Sequence, residues 1–170
     1  MRTQQTNHAF EASIISNSQY RRFCSLPACR ELNEEECIEL FTCFDSCRFS
    51  VGTDIYKAGT PSSQIVYLIT EGWASVTPLV GTSYFRLGEG DTFGLFSFLD
   101  RSRCHSSTVT AATDLELLRI GREQFDMITL EEPELGSRLL RFMFHLLSNK
   151  ALNLESEYSG VFEYGTAGHH

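Results

Sequence analysis

Cysteine is the residue type in this chain with the widest range of chemistry. The 170-residue sequence contains six, which are Cys24, Cys29, Cys37, Cys43, Cys47 and Cys104. Thiolates hold zinc and iron–sulfur clusters, and such sites favour compact C-x2-C spacings. The first five cysteines are separated by four, seven, five and three residues, which matches no such spacing. We therefore expect reduced, metal-free thiols, and a redox or metal sensor that uses the cysteines is an alternative function.

The five histidines form no recognisable catalytic or metal-binding motif. They are His8, His105, His145, His169 and His170. A catalytic cupin needs an H-x-H together with a carboxylate and a further histidine on facing strands, and the sequence contains no H-x-H. The sequence also lacks a G-x-S-x-G elbow, a P-loop and an H-E-x-x-H pair. We predict a non-catalytic protein without a metal or cofactor. The absence of an H-x-H argues against the alternative of a cupin-type enzyme.

The composition is that of an acidic globular protein. Hydrophobic residues make up 42% of the chain and charged residues 21%, and 14 Lys and Arg oppose 22 Asp and Glu for a formal net charge of −8. This charge disfavours general binding to nucleic acid or anionic membranes, which requires clustered cations. The apolar run over 139–147 is too short for a bilayer span, and the N-terminus has no apolar signal core. We expect a cytoplasmic protein.

The first two-thirds of the chain change from helical to strand-like patterns. Residues 1–20 are polar and aperiodic and predict a flexible arm. Helical spacing follows Asn33, a predicted N-cap that Glu36 completes as a capping box. Over 48–120, short β-branched or aromatic runs alternate with clusters of Gly, Pro, Ser and Asp. Many closely spaced strands with turn signals indicate a β-sandwich or jelly roll.

Helical periodicity returns in the last third of the chain. It covers 122–128 and then a long stretch from Pro133 to about Tyr158, where proline suits the first turn of a helix. No Gly- or Ser-rich linker interrupts the preceding sequence. We predict one domain over 21–158 and a short polar tail over 159–170.

Glycines and apolar residues recur at fixed spacings through the strand-rich region. The positions are Gly52, Ile55, Gly59, Tyr67, Ile69, Gly72, Gly90, Phe93, Gly94, Leu99, Thr108, Val109, Ala111, Leu115, Leu117, Leu118 and Phe125. With these residues the chain resembles the cyclic-nucleotide-binding domain family, of the catabolite-activator and kinase-regulatory-subunit type, over about residues 26–157. The resemblance implies a jelly-roll β-roll with N-terminal helices and a long C-terminal helix.

The resemblance also implies where a ligand would bind. In the family, a short helix after a glycine, here Gly94, cradles a phosphate with its N-terminal amides. The family's ribose-binding glutamate corresponds to Leu95, and its phosphate-binding arginine corresponds to His105. Because Leu95, Phe96 and Phe98 make this segment more apolar, we expect them to fill the pocket. The predicted site is therefore a degenerate cassette.

The candidate ligand-binding residues of this cassette are Phe93, Gly94, Leu95, Phe96, Arg103, His105, Ser106 and Ser107. A protonated His105 can pair with phosphate, since the unperturbed imidazole pKa is about 6.5. Arg101 or Arg103 can supply a cation if the loop is shifted, and otherwise both are solvated loop residues. A cyclic AMP or cyclic GMP receptor, or a site for another small ligand, thus stays an alternative to the degenerate pocket.

The C-terminal helix carries a broad apolar surface. Its heptad-like positions are Leu140, Met143, Leu147 and Leu154. In the family this helix pairs with its copy, so we predict a homodimer. One alternative is that the helix binds another protein. The simplest alternative is that its apolar surface packs on its own domain. A winged helix-turn-helix follows this helix in DNA-binding relatives, and only about a dozen residues remain here. We predict a regulatory or interaction module that binds no nucleic acid.

Overall fold

The computed structural model describes residues 11–80, 85–100 and 102–148. The described chain begins with a helical layer. Its elements are helix α1 over 11–15, α2 (Ser18–Ser25), a 3-10 turn (Pro27–Cys29) and α3 (Glu34–Thr42). The predicted capping box is confirmed, because Asn33 accepts from the Glu36 amide and the Glu36 carboxylate accepts from the Asn33 amide.

Eight strands follow and form two four-stranded antiparallel sheets. They are β1 (Asp45–Phe49), β2 (Asp54–Tyr56), β3 (Ile65–Glu71), β4 (Ala74–Pro78), β5 (Phe85–Leu87), β6 (Thr92–Phe93), β7 (Ser107–Ala111) and β8 (Leu115–Gly121). The strand orders are β1-β8-β3-β6 and β2-β7-β4-β5. Both orders alternate strands that are distant in sequence, as in a jelly roll. The predicted fold class is confirmed.

Three helices complete the described structure. Helix α4 (Leu95–Leu99) lies between β6 and β7, and α5 (Arg122–Glu131) follows β8. Helix α6 is described over 133–148, so the predicted continuation to Tyr158 and the tail over 159–170 lie outside the described residues. Within the described ranges, no helix has the length and apolarity needed to cross a membrane.

The sheet that contains β3 and β8 is buried on both faces and separates two hydrophobic cores. On β3, Val66 and Leu68 pack against the helices, whereas Tyr67 and Ile69 face the inside of the roll. We call the core between this sheet and the helices the helical core; its central members are Phe23, Leu40, Phe44, Leu118, Ile120, Leu139 and Phe142. We call the second the roll core, whose central members are Phe93, Val109, Ala111, Leu115 and Leu117.

The prediction of a flexible arm over residues 1–20 is wrong for residues 11–20, the part of the arm that the structure describes. Residues 1–10 lie outside the described part, but residues from 11 onward are helical, with Ile14 and Tyr20 buried in the helical core. Gln19 is also buried, and its amide donates to the Thr70 hydroxyl at 3.0 Å and to the Leu117 carbonyl at 3.1 Å. The polar composition concealed this packing, because a glutamine can be buried when its amide donors find acceptors in the interior.

Helix α6 is fixed to the domain by one apolar face and one ion-pair cluster. Leu139, Phe142, Met143 and Leu146 are buried in the helical core. Arg138 forms ion pairs with Glu36 and Glu39 of α3. These contacts confine the free surface of α6 to its opposite face.

Candidate functional site

The turn before α4 is built around a glycine that no other residue can replace without strain. Gly94 has φ of 88°, in the left-handed region, and a Cβ built on it would lie 2.2 Å from the carbonyl oxygen of Ile65. The backbone at Gly94 thus lies directly against β3 of the same domain.

Helix α4 turns its side chains away from the roll core. Leu95 and Phe98 pack in the helical core, and the Phe98 ring meets Phe125 edge to face at 5.6 Å. Phe96 is 77% exposed, and Leu99 is exposed as well. The expectation that Leu95, Phe96 and Phe98 fill the pocket is therefore wrong. A one-turn helix has only a few faces, and here Leu95 and Phe98 occupy the face that meets the neighbouring helices.

Leu95 shares a small cavity with the C-terminal helix. The cavity has a volume of about 10 Å³ and is lined by Phe44, Val66, Leu68, Thr92, Leu95, Met143 and Leu146. This volume holds one water molecule at most. The Thr92 hydroxyl is buried and has no hydrogen-bond partner among the described residues. Leu95 of the candidate cassette and Met143 and Leu146 of α6 therefore line the same cavity.

His105 is a stacked residue of the protein interior. It is 5% exposed, and its ring lies on Tyr56 with centroids 3.9 Å apart and planes 10° apart. Its Nε2 accepts from the Ser63 amide at 3.3 Å. Burial lowers the pKa of this imidazole below its ordinary value, because desolvation disfavours the cation. The neutral form that this environment favours offers no positive charge to a phosphate.

The stack continues as a series of four rings, which we call the aromatic ladder: His105, Tyr56, Phe93 and Tyr67. The Tyr56 and Phe93 centroids are 6.0 Å apart, and Phe93 stacks on Tyr67 at 4.9 Å. Burial raises the pKa of Tyr56 to about 12, so this phenol is neutral under ordinary conditions. The ladder thus lines the roll with uncharged rings.

The structure brings together some of the predicted ligand residues and separates others. Phe93 and His105 meet around Tyr56, and the neighbouring Ser107 partly offsets the rise in the Tyr56 pKa that burial causes. Ser106 is exposed, and its carbonyl accepts from the Leu79 amide. Tyr56 was missed, because no spacing in the sequence links a residue of β2 to one that precedes β7.

The cations considered for phosphate binding are not part of the ladder. The exposed Arg103 pairs with Asp100 of the same loop, Nε to Oδ2, at 3.1 Å. That carboxylate also accepts from the amide and hydroxyl of Ser102, and these hydrogen bonds hold its pKa below the ordinary value. Arg101 lies outside the described residues. Within the described part of this loop, the arginine is engaged by its own neighbours.

The predicted dimer positions divide between the two faces of α6. Leu140 is 58% exposed and Leu147 is 39% exposed, whereas Met143 is buried in the helical core. Met143 is therefore a core residue in this structure, and Leu154 lies outside the described residues. Phe144, 68% exposed, shares the outer face with the two leucines at a spacing of three to four residues. We call Leu140, Phe144 and Leu147 the α6 stripe.

Comparisons with solved structures find the same fold. A cyclic nucleotide-binding domain from Methylobacillus flagellatus gives a TM-score of 0.67 at 15% identity, over 85% of this chain and 83% of that one. The N-terminal domain of a transcriptional regulator from Streptomyces coelicolor gives 0.58 at 22% identity, over 76% and 94%. The catabolite activator protein of Thermus thermophilus gives 0.56 at 25% identity, over 78% of this chain and 63% of the activator.

The sequence itself matches a family and no curated protein. A search of curated proteins gives no match to this chain. The profile described as the cyclic nucleotide-binding domain matches residues 46–132, just over half of the 170 residues. That stretch contains the roll from β1 to β8 and the whole α4 turn with Gly94. The chain therefore belongs to the cyclic nucleotide-binding domain family.

Proposed function

We propose that this chain is a non-catalytic regulatory or interaction module whose aromatic ladder replaces a cyclic nucleotide, so that cyclic AMP and cyclic GMP are not bound in the usual way. The observation that carries the proposal is the stack of the buried, neutral His105 on Tyr56. His105 occupies the cassette position at which the family resemblance places a phosphate-binding arginine. The net charge of −8 agrees with a module that does not itself bind nucleic acid.

The energetic argument compares this stack with a charged phosphate contact. A charge-assisted hydrogen bond contributes about 1.5–3 kcal/mol, which a neutral imidazole does not supply. Releasing His105 from Tyr56 would also forfeit an aromatic contact of about 0.5–1.5 kcal/mol. Together these losses come to about 2–4.5 kcal/mol, which corresponds to an affinity weaker by roughly 30- to 2,000-fold. Leu95 adds to the loss, because it accepts no hydrogen bond and packs in the helical core.

Isothermal titration calorimetry with cyclic AMP and cyclic GMP tests this proposal. We expect binding no tighter than high micromolar, and we expect Arg103→Ala to leave the titration unchanged because Arg103 pairs with Asp100. The double change Leu95→Glu with His105→Arg restores both family contacts and should increase affinity if the variant stays folded by circular dichroism. Low-micromolar binding by the unmodified protein would instead establish a true cyclic-nucleotide receptor.

The α6 stripe favours a second, compatible function, which is self-association. Leu140, Phe144 and Leu147 expose three large apolar side chains on one face of a helix whose other face is already buried. Side chains three and four residues apart form a continuous ridge on a helix, and the ridges of two copies can interlock. We propose that this ridge meets its copy in a homodimer.

Two adjacent leucines give a matched test of the homodimer. Leu147→Glu places two like charges in a symmetric seam, and their desolvation should cost several kcal/mol. We expect the molar mass from light scattering to fall to that of a monomer, with an unchanged circular dichroism spectrum. Leu146→Glu is the control, since Leu146 is 6% exposed in the helical core and its charge should unfold the domain. A folded Leu147→Glu protein of unchanged mass would contradict the proposed seam.

A further inference from the structure

Helices α2 and α3 pack as an antiparallel pair that places two cysteines opposite each other. The Tyr20 and Phe41 rings meet edge to face, with centroids 5.3 Å apart. One turn further along each helix, at a spacing of four residues, lie Cys24 and Cys37. After burial, the neighbouring Cys24 raises the pKa of the Cys37 thiol, which agrees with this register.

A third thiol and a phenol complete this group. Cys29 lies in the 3-10 turn between the two helices, and after burial the neighbouring Cys37 and Cys24 raise the pKa of its thiol. After burial, the neighbouring Cys24 also raises the pKa of the Tyr20 phenol. We call Cys24, Cys29 and Cys37 the thiol cluster. Its members come from α2, the turn and α3, so the cluster is a product of the fold.

The other cysteines lie elsewhere. The Cys43 thiol donates to the Glu39 carbonyl at 3.3 Å, Cys47 is in β1, and Cys104 is exposed beside Pro61. Across the described ranges, no group of three or more His, Cys, Asp or Glu side chains is arranged to hold a metal ion. The chemistry open to the thiol cluster is therefore that of thiols with one another.

Access to solvent differs sharply within the cluster. Cys24 is partly exposed, whereas Cys29 and Cys37 are 3% and 5% exposed. A soluble oxidant therefore reaches Cys24 first, and the buried Cys37 is positioned to react with whatever forms there. This is the arrangement of a peroxide-reactive thiol with a resolving partner.

We propose that Cys24 and Cys37 form an oxidisable dithiol, which a peroxide converts into a disulfide between α2 and α3. In the first step the Cys24 thiolate attacks one peroxide oxygen, the O–O bond breaks, and water leaves after protonation. The product is a sulfenic acid at Cys24. In the second step the Cys37 sulfur attacks the Cys24 sulfur, the S–O bond breaks and a second water leaves. Two thiols are oxidised and one hydrogen peroxide is reduced to two waters.

Burial sets the rate of the second step. It raises the pKa of Cys37 to about 11, so only a small fraction is thiolate near neutral pH. Below that pKa the thiolate fraction increases about tenfold per pH unit. Disulfide closure should therefore become faster as the pH rises above neutral. The site does not involve the aromatic ladder, so it can be tested independently of the proposed function.

Peptide mapping of the full-length protein tests the proposal. The reduced protein is treated with hydrogen peroxide, alkylated under denaturing conditions and digested with trypsin, which cleaves after Arg22, Arg30 and Arg48. We expect peptide 23–30 joined to peptide 31–48, with fragmentation placing the link on Cys37. The yield at a fixed time should increase with pH.

Three serine variants identify the sulfur that links to Cys37. Cys24→Ser should lose the cross-link, whereas Cys29→Ser and the exposed control Cys104→Ser should keep it. The proposal is overturned if the cross-link persists in Cys24→Ser, or if Cys24 of the unmodified protein is oxidised without linking to Cys37. Whether oxidised Cys24 links to Cys37 is measured on the unmodified protein. The test therefore stays decisive even if a variant folds poorly.

Discussion

The burial of His105 makes a specific prediction about how stability depends on pH. In the unfolded chain this imidazole has a pKa of about 6.5. In the folded protein, desolvation lowers the pKa, so the folded state binds less proton than the unfolded state as the pH falls through about 6.5. The stability from a neutral His105 is therefore present above that pH and is lost progressively below it.

The size of this pH effect on the free energy of unfolding follows from the single proton that His105 binds. A difference of one bound proton changes the free energy of unfolding by at most about 1.4 kcal/mol per pH unit. Tyr56, the ring on which His105 stacks, has its pKa raised to about 12 and stays neutral throughout. Hydrogen bonds are the main cause of the lowered pKa values of Asp54 and Asp100, so these carboxylates titrate well below the pH range in which His105 loses its stabilising effect.

Urea denaturation between about pH 5 and pH 8 measures the effect. His105→Phe keeps a ring against Tyr56 and removes the titration, so its free energy of unfolding should fall less than that of the unmodified protein below about pH 6.5. At higher pH the variant should be about 1 kcal/mol less stable, because the Ser63 amide loses its acceptor. The exposed His145→Gln is the matched control and should retain the original profile. Parallel profiles for His105→Phe and the unmodified protein would refute the reasoning.

Two further predictions concern the local geometry of the fold. Gly94→Ala should lower the free energy of unfolding by more than about 2 kcal/mol, because it adds a clash with Ile65 to left-handed strain. Gly59→Ala has a similar φ but open space, so chemical denaturation should show a smaller loss, and equal losses would exclude the clash. Asn33→Ala removes the α3 capping box and should cost about 1 kcal/mol, and an unchanged melting temperature would contradict that role.

Local signals in the sequence predicted a β-sandwich or a jelly roll, and the resemblance to the family then indicated the jelly roll. Turn glycines with φ near 80–90°, such as Gly52, Gly59 and Gly72, separate the short strands, and the side chains of β3 and β8 divide between two cores. The capping box at Asn33 was predicted for the same reason, since both partners lie within three residues. Features encoded by neighbouring residues can be read from one sequence.

The candidate site could be predicted only in part, because it depends on contacts between distant residues. The stack of Tyr56 on His105 joins residues far apart in the chain, and no local pattern marks it. The orientation of Leu95 toward the helical core depends on where α6 packs, and so does the burial of Met143. The helical structure of residues 11–20 depends on partners in β3 and β8, such as Thr70.

The small cavity beside Leu95 has a mechanical consequence. Leu95 of α4 and Met143 of α6 line the same wall, while Gly94 holds the start of α4 tightly against β3. Interiors this closely packed transmit displacement, because side chains have little free volume into which they can move. A change in the size of the side chain at position 95 must therefore be accommodated in part by Met143 of α6. The short cassette helix and the C-terminal helix are thus positioned against each other by one shared wall.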